Sequence, residues 1–204
     1  MPTALLSSTY FGPIQWYQKL HRYGHCQIEC FDHFQKQTYR NRCRIATANG
    51  TQVLTVPVER TDGKCLMRDV RISDHGQWRH LHWNALQSAY GESPFFEFYA
   101  DDLRPFFERR WTFLFDFNMD IINKVCHLLD IQPSIAPTTD FMPQDAASAL
   151  ADYREAIHPK HPLPDADFEP RPYYQQYAPR HGFQPNLSIL DLLFNEGNED
   201  IFFL

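Results

Sequence analysis

The chain has 204 residues, of which 43% are hydrophobic and 15% aromatic, and this composition excludes disorder of the whole chain. A net charge of −6 and a sequence pI near 5.9 argue against bulk nucleic-acid binding, so no nucleic-acid partner is expected. No apolar run approaches the roughly 20 residues that a transmembrane helix needs, so no membrane span is predicted.

The charge is distributed unevenly along the chain. Residues 1–140 contain 15 basic and 15 acidic residues, whereas residues 141–204 contain 4 and 10. Ten of the 15 prolines lie between Pro133 and Pro185. We therefore expect an α/β main domain over residues 1–140. Residues 141–204 would supply a helix, a proline-rich strap and a C-terminal helix that pack back on the same domain.

The N-terminal residues and the cysteines bear on compartment and metal binding. The N-terminus lacks the basic region and the apolar run of a signal peptide, so a cytoplasmic location is expected. Only Cys26 and Cys30 of the five cysteines are close in sequence, whereas structural zinc sites show two close pairs of ligands. Buried thiols are therefore predicted, with no metal and no cofactor.

The first third of the chain is predicted to contain strands around one helix. Residues 3–9 form a short strand, residues 14–23 a helix, and residues 25–31 a second strand. Residues 40–47 and 51–59 form a hairpin about Asn49-Gly50, the strongest two-residue turn signal in the chain. Residues 70–72 are a further candidate strand.

The remainder is predicted to be mainly helical. Helices are expected over residues 78–90, from Asp101 or Asp102 to Arg110, over residues 113–128, over residues 146–157, and from Asn186 or Ser188 to a stop at Gly197.

Residues 158–185 combine seven prolines with several aromatic rings that a free linker would not need. They therefore predict an ordered strap, in which Tyr173 or Tyr174 packs on the main domain. The order of elements favours an α/β fold with a small mixed sheet, with α+β as the alternative.

A run of basic residues is the first candidate site. Residues 33–44 contain four cations and no acid. Strand alternation would place Arg40, Arg42 and Arg44 on one face. Such a row is typical of a site for phosphate or carboxylate, with Gln37 and Asn41 as neutral hydrogen-bonding groups. The alternative is a solvated edge strand whose charges prevent aggregation.

Histidines and a turn provide two further candidates. His75 or His82 could move a proton near neutral pH, and Asp74 could hold His75 in one tautomer. Alternatively, Asp74 caps the following helix and one histidine fills a half-buried polar position. Tyr10 follows the first strand, where open α/β sheets bind ligands, although a packed turn is the alternative there.

Several segments resemble the WbqC-like protein family. They are Trp16-Tyr17-Gln18-Lys19-Leu20, Tyr39 to Ile45, Asn49-Gly50 followed by Leu54 to Val58, Trp78 to Tyr90, and Leu187 to Gly197. The polar matches to the family are Gln18, Lys19, Arg40, Asn41, Arg42, His82, Asp191 and Asn195. The resemblance implies a cytosolic protein that modifies a sugar precursor of cell-surface polysaccharide by acyl or aminoacyl transfer.

Two hypotheses follow. In the first, the protein is a transferase that acts on a phosphorylated or nucleotide-linked sugar. Arg40 and Arg42 would hold the anion, His82 or His75 would be the base, and Asp191 would orient groups. The remaining candidates for substrate binding are Arg44, Asn41, Gln37, Tyr10, Gln18 and Asn195. In the second, the protein is a non-catalytic binding or scaffold protein that contacts its partner through the acidic, tyrosine-rich strap.

Overall fold

A four-stranded parallel sheet lies at the centre of a computed structural model that describes residues 3–60, 64–143 and 150–204. Its strands are β1 (Thr3–Ser7), β2 (His25–Glu29), β5 (Ser134–Pro137) and β6 (Leu150–Asp152), in the order β5-β2-β1-β6. All three neighbouring pairs are parallel. The chain steps from β1 to β2 and β5 in one direction and then returns to the other side of β1 with β6, so the strand order reverses between β1 and β6.

The first strand and helix confirm the prediction from periodicity. Ala4, Leu5 and Leu6 of β1 are all fully buried, which is typical of a parallel strand covered on both faces. Helix α1 (Ile14–Tyr23) then leads into β2. It ends at Gly24, whose φ of 66° lies in the left-handed region that glycine adopts without steric cost.

The hairpin forms as predicted, but its first strand begins later. Strands β3 (Arg42–Thr47) and β4 (Gly50–Thr55) pair antiparallel as a separate two-stranded sheet. Cys43 is buried and Arg44 half-buried, as alternation requires. The prediction that Arg40 shares a strand face with Arg42 and Arg44 is wrong. Strand β3 begins at Arg42, so Arg40 precedes the ladder. The Arg40 carbonyl accepts a hydrogen bond from Asn118, and the Arg40 guanidinium pairs with Asp32.

The helices cover the second half of the chain. They are α2 (Trp78–Tyr90), α3 (Phe96–Leu103), α4 (Pro105–Glu108), α5 (Leu114–Leu128), α6 (Ala178–His181) and α7 (Ile189–Glu196), with 3₁₀ helices at Met67–Asp69 and Gly197–Phe203. Three of the predicted helices are confirmed as α2, α5 and α7. In α7, Ser188 caps the N-terminus by accepting from the Leu190 amide. Within the described ranges, no helix has the length and apolar character needed to cross a bilayer.

Two further local predictions are wrong. The helix expected to begin at Asp101 or Asp102 begins at Phe96, and Pro105, which has no amide hydrogen, separates α3 from α4. Residues 70–72 form only isolated bridges.

The helix predicted over 146–157 lies partly outside the described residues, and from Leu150 the chain is strand β6. Pairing with β1 overrides the helix propensity of this alanine-rich segment.

The strap, residues 158–185, is fastened to α1 by a buried ion pair. The Lys19 side chain is fully buried and lies 2.7 Å from Asp165 Oδ2, and its ammonium lies 4.4 Å from the centre of the Tyr153 ring. Asp165 also accepts from Gln15 Nε2 at 2.7 Å. Of the two strap tyrosines predicted as packing residues, Tyr173 is buried, whereas Tyr174 is 57% exposed.

Lys19→Met is expected to lower the free energy of unfolding by about 3–5 kcal/mol, because it leaves the Asp165 charge buried and unpaired. The matched control is Arg22→Met. Arg22 lies on the same helix as Lys19 and pairs with Asp167 of the strap, but its side chain is 55% exposed. That control should cost at most about 1 kcal/mol. Urea unfolding measures both, and equal losses would contradict a role for the buried pair.

Candidate functional site

The carboxyl ends of the four parallel strands meet at one edge of the sheet. Ser7, Glu29, Pro137 and Asp152 are their last residues. In open α/β sheets, ligands bind beyond this edge, at the point where the strand order reverses. Segments that follow three of these strands form a cavity of about 450 Å³, which we call the outer cleft. It is lined by Asp32, His33, Gln35, Phe141, Pro143, Arg154 and Glu155.

Glu29 connects the segments around this edge. Its carboxylate is fully buried and accepts four hydrogen bonds. Oε1 accepts from the Phe31 amide and the Thr138 hydroxyl, both at 2.9 Å. Oε2 accepts from the Met142 amide at 3.1 Å and from Arg154 Nη1 at 3.0 Å. One carboxylate therefore holds together the chain that follows β2, β5 and β6.

Arg154 is held in a fixed orientation at the wall of the cleft. Its side chain is 7% exposed, and its Nη2 donates to Asp152 at 2.7 Å. Nη1 also donates to the Met142 carbonyl at 2.8 Å. The Phe141 ring lies 6.0 Å from the guanidinium carbon and is 50% exposed. The Arg154 guanidinium and the accessible Phe141 ring are thus adjacent at the wall of the outer cleft.

Asp32 is the acid-base candidate of the outer cleft. It is half-buried, and one oxygen accepts from Arg40 Nη2. Burial raises the pKa of Asp32 above its usual range, against the lowering effect of Arg40. Its Oδ1 is buried and has no hydrogen-bond partner among the described residues. A carboxyl group with a raised pKa beside a cavity suits proton transfer.

A second, enclosed chamber lies beside the outer cleft, and we call it the inner chamber. Its volume is about 10 Å³, and Arg154 lines both cavities. The inner chamber is lined by Ser7, Ser8, Thr9, Trp16, Thr38, Tyr39, Arg40, Tyr153, Arg154 and Ile157. It therefore lies between the end of β1 and the end of β6, where the strand order reverses.

Of the predicted arginine row, Arg40 alone is among the lining residues of the two chambers. Arg42 and Arg44 are half-buried on the hairpin, and Arg44 lies beside the Tyr39 hydroxyl. Asn41 is buried and donates to the Val56 carbonyl at 2.9 Å. Asn41 and Arg44 thus have local partners, whereas Arg42 Nε is buried without a hydrogen-bond partner among the described residues.

His82 is buried in the core, away from solvent. One ring nitrogen donates to the Thr55 backbone, so Nδ1 accepts from the Tyr10 hydroxyl at 2.9 Å. Burial lowers the pKa of His82 to about 4, so the ring is neutral at pH 7. Both ring nitrogens of His82 are hydrogen-bonded to protein groups, so its burial is explained without a bound ligand.

Asp74 and His75 lie at the surface. Asp74 accepts from Arg79 Nη1 at 2.7 Å, and this hydrogen bond lowers the pKa of the Asp74 carboxyl. The alternative role predicted for Asp74, a helix cap, is wrong, because α2 begins after Gln77 and no side chain caps it. His75 is exposed beside it.

Asp191 joins α7, α2 and the strap in a buried network. It accepts from the hydroxyls of Tyr90 at 2.8 Å and Tyr173 at 2.6 Å, and from Gln175 Nε2 at 3.2 Å. Burial raises the pKa of Asp191 to about 6. Asn195 donates to the Asp191 carbonyl at 2.8 Å within the same helix.

The two remaining glutamine candidates hold peripheral segments. Gln18 donates to the Phe203 carbonyl at 3.1 Å and thereby ties α1 to the C-terminal 3₁₀ helix. Gln37 is exposed and accepts from Lys160 of the strap. Neither residue lines the outer cleft or the inner chamber.

Sequence reasoning missed most of the lining of the two chambers, including Asp32, Phe141, Arg154 and Thr9. A usable signal was present for two of them, since Thr9 ends the first predicted strand and Asp32 directly follows the second. Phe141 and Arg154 follow β5 and β6, which were not predicted as strands, so no local pattern placed them at the same edge.

His82→Gln and Asp191→Asn are expected to change the pH dependence of stability in opposite directions. The pKa of His82 is lower in the folded protein, about 4, than its usual 6.5, so the stability that His82 contributes rises from about pH 4 to 6.5. The pKa of Asp191 is about 6 when folded and 3.8 when unfolded, so its contribution falls as pH rises through that window.

Unfolding free energies measured in guanidinium chloride at several pH values test this pair. The excess stability of wild type over His82→Gln should increase with pH, and its excess over Asp191→Asn should decrease. Each slope is at most about 1.4 kcal/mol per pH unit, the value for one proton. Slopes of the same sign would show that one of the two burial effects is misassigned.

Comparison with protein-family models identifies one family. The chain matches the WbqC-like protein family over residues 8–161 and 162–202. The uncharacterized protein Rv1507c of Mycobacterium tuberculosis (strain ATCC 25618 / H37Rv) is 31% identical over an alignment of 192 residues, and the match covers 81% of this chain and 81% of the relative. No solved structure matches the chain significantly. The chain therefore belongs to the WbqC-like protein family.

Proposed function

We propose that the protein is a cytoplasmic enzyme of cell-surface polysaccharide biosynthesis that binds a phosphorylated or nucleotide-linked sugar in the outer cleft. One observation carries this proposal: a single cavity at the carboxyl edge of the sheet combines an exposed ring, Phe141, a buried guanidinium, Arg154, and a carboxyl group with a raised pKa, Asp32. Membership of the WbqC-like family supports a sugar precursor as the substrate class.

The cleft matches such a ligand in size and chemistry. Its volume of about 450 Å³ lies within the range of small-molecule sites. Most donors of the Arg154 guanidinium are held by Asp152, Glu29 and the Met142 carbonyl, and the one N–H of Nη2 without an acceptor among the described residues suits a phosphate oxygen. The half-exposed face of Phe141 suits a nucleobase or sugar ring, which would stack on it.

Asp32 supplies the group that a transfer reaction needs. When a hydroxyl or amine of the sugar attacks an acyl or aminoacyl donor, a base must accept its proton. The Asp32 carboxylate is adjacent to the cavity and held by Arg40. Its raised pKa brings its basicity closer to neutral pH, where proton transfer is most effective.

Phe141→Ala is expected to weaken binding of UDP-glucose by about tenfold, because it removes the stacking surface. The matched control is Phe98→Ala, which removes another exposed ring, 68% exposed, from helix α3. Isothermal titration calorimetry gives both dissociation constants. Equal affinities of the two variants, or no binding to the wild type by any of several nucleotide-linked sugars, would contradict the proposal.

Asp32 provides a second test through pH. A bound anion disfavours the charged form of Asp32, so the affinity for UDP-glucose, measured from pH 7.5 downward, should rise as the pH approaches the raised pKa of Asp32 and binding takes up a proton. The diphosphate of this probe keeps a constant charge over that range. Asp32→Asn should bind with little pH dependence. Equal pH dependence in the wild type and in Asp32→Asn would exclude Asp32 from the ligand's surroundings.

A further inference from the structure

Three lining residues of the inner chamber carry buried polar atoms that no described protein group satisfies. Ser7 Oγ, Thr9 Oγ1 and Arg40 Nε are buried and have no hydrogen-bond partner among the described residues. Thr9 is 2% exposed and Arg40 is 3% exposed. Buried polar groups are nearly always paired, so three unpaired atoms on the lining residues of one chamber need an explanation.

The charge of the inner chamber differs from that of the outer cleft. The lining of the inner chamber includes two guanidinium groups, Arg40 and Arg154, and no aspartate, glutamate or histidine. The outer cleft is lined by Asp32 and Glu155 as well as by Arg154. Both guanidinium groups are paired with carboxylates, Arg40 with Asp32 and Arg154 with Glu29 and Asp152. The unpaired Arg40 Nε is a donor and a hydroxyl can donate, so the chamber favours an acceptor atom such as an oxygen.

The size of the chamber limits what can enter it. A free volume of about 10 Å³ accommodates about one water-sized atom. Arg154 lines both cavities, and the Arg40–Asp32 ion pair joins a lining residue of one to a lining residue of the other. The two cavities are therefore adjacent at Arg154.

We propose that the inner chamber is a subsite for one phosphate oxygen, bound by Arg40 Nε and by the hydroxyls of Ser7 and Thr9. The phosphorus and the remaining oxygens then lie at Arg154, and the rest of the ligand lies in the outer cleft. The identity of that remainder rests on the proposed function, whereas the phosphate subsite can be tested without it.

Ser7→Ala and Thr9→Val are the informative variants, because each removes a hydroxyl that bonds no protein group, so the folded protein loses no hydrogen bond. Arg40→Lys keeps the charge that pairs with Asp32 but removes Nε. The matched control is Ser8→Ala, since Ser8 lines the same chamber but its hydroxyl accepts from Asn118. Inorganic phosphate and UDP-glucose are the probes, and urea unfolding verifies that every variant is folded.

Titration calorimetry with inorganic phosphate should show binding to the wild type, weakened about tenfold in Thr9→Val and in Ser7→Ala and unchanged in Ser8→Ala. Equal phosphate affinity in all variants, or no phosphate binding to the wild type, overturns the subsite. UDP-glucose binding that still depends on Phe141 would then leave the proposed function standing. Conversely, phosphate binding that depends on Thr9, with no binding of nucleotide-linked sugars, supports the subsite and overturns the proposed function.

Discussion

The buried ion pair between Glu29 and Arg154 determines how the carboxyl edge of the sheet is arranged. The two side chains are 0% and 7% exposed, so neither charge is solvated by water. A buried charge is tolerated only when it is paired and its remaining hydrogen-bonding positions are filled. Glu29 meets this requirement because Thr138, Met142 and Arg154 donate hydrogen bonds to its carboxylate. The shape of the outer cleft follows from satisfying that one carboxylate.

The acidic excess of the last third of the chain has a similar structural explanation. Several of these acids serve as internal partners for groups in the first two thirds: Asp165 pairs with Lys19, and Asp191 accepts from Tyr90. Asp152 orients Arg154 from within the same segment. The strap and α7 are therefore held to the parallel sheet and the helices by buried polar contacts as well as by apolar packing.

Much of the fold could be predicted because its signals are local. The apolar spacing of α1, α2 and α5, the Asn49-Gly50 turn and the Ser188 cap each lie within a few residues of the element they specify. The two short outer strands lack such signals. Strand β5 follows Pro133 and ends at Pro137, which an edge strand tolerates, and β6 follows an alanine-rich segment that favours helix.

The candidate site was predictable only in part, for the same reason. The basic run singled out Arg40, but its partner Asp32 and its position before β3 depend on tertiary contacts. Glu29 and Arg154 are 125 residues apart in sequence, and no periodic pattern connects them. A site built at the ends of parallel strands becomes visible only when every strand of the sheet is known.

A crystal structure of the protein with UDP-glucose tests the central claim most directly. The ligand should lie in the outer cleft between Phe141 and Arg154, with one phosphate oxygen in the inner chamber beside Thr9. Another cavity, separate from the outer cleft and the inner chamber, has a volume of about 440 Å³ and is lined in part by Arg22 and Arg171. It lies against helix α1 and the strap. A ligand bound there, with the outer cleft empty, would contradict the assignment of the site to the carboxyl edge of the sheet.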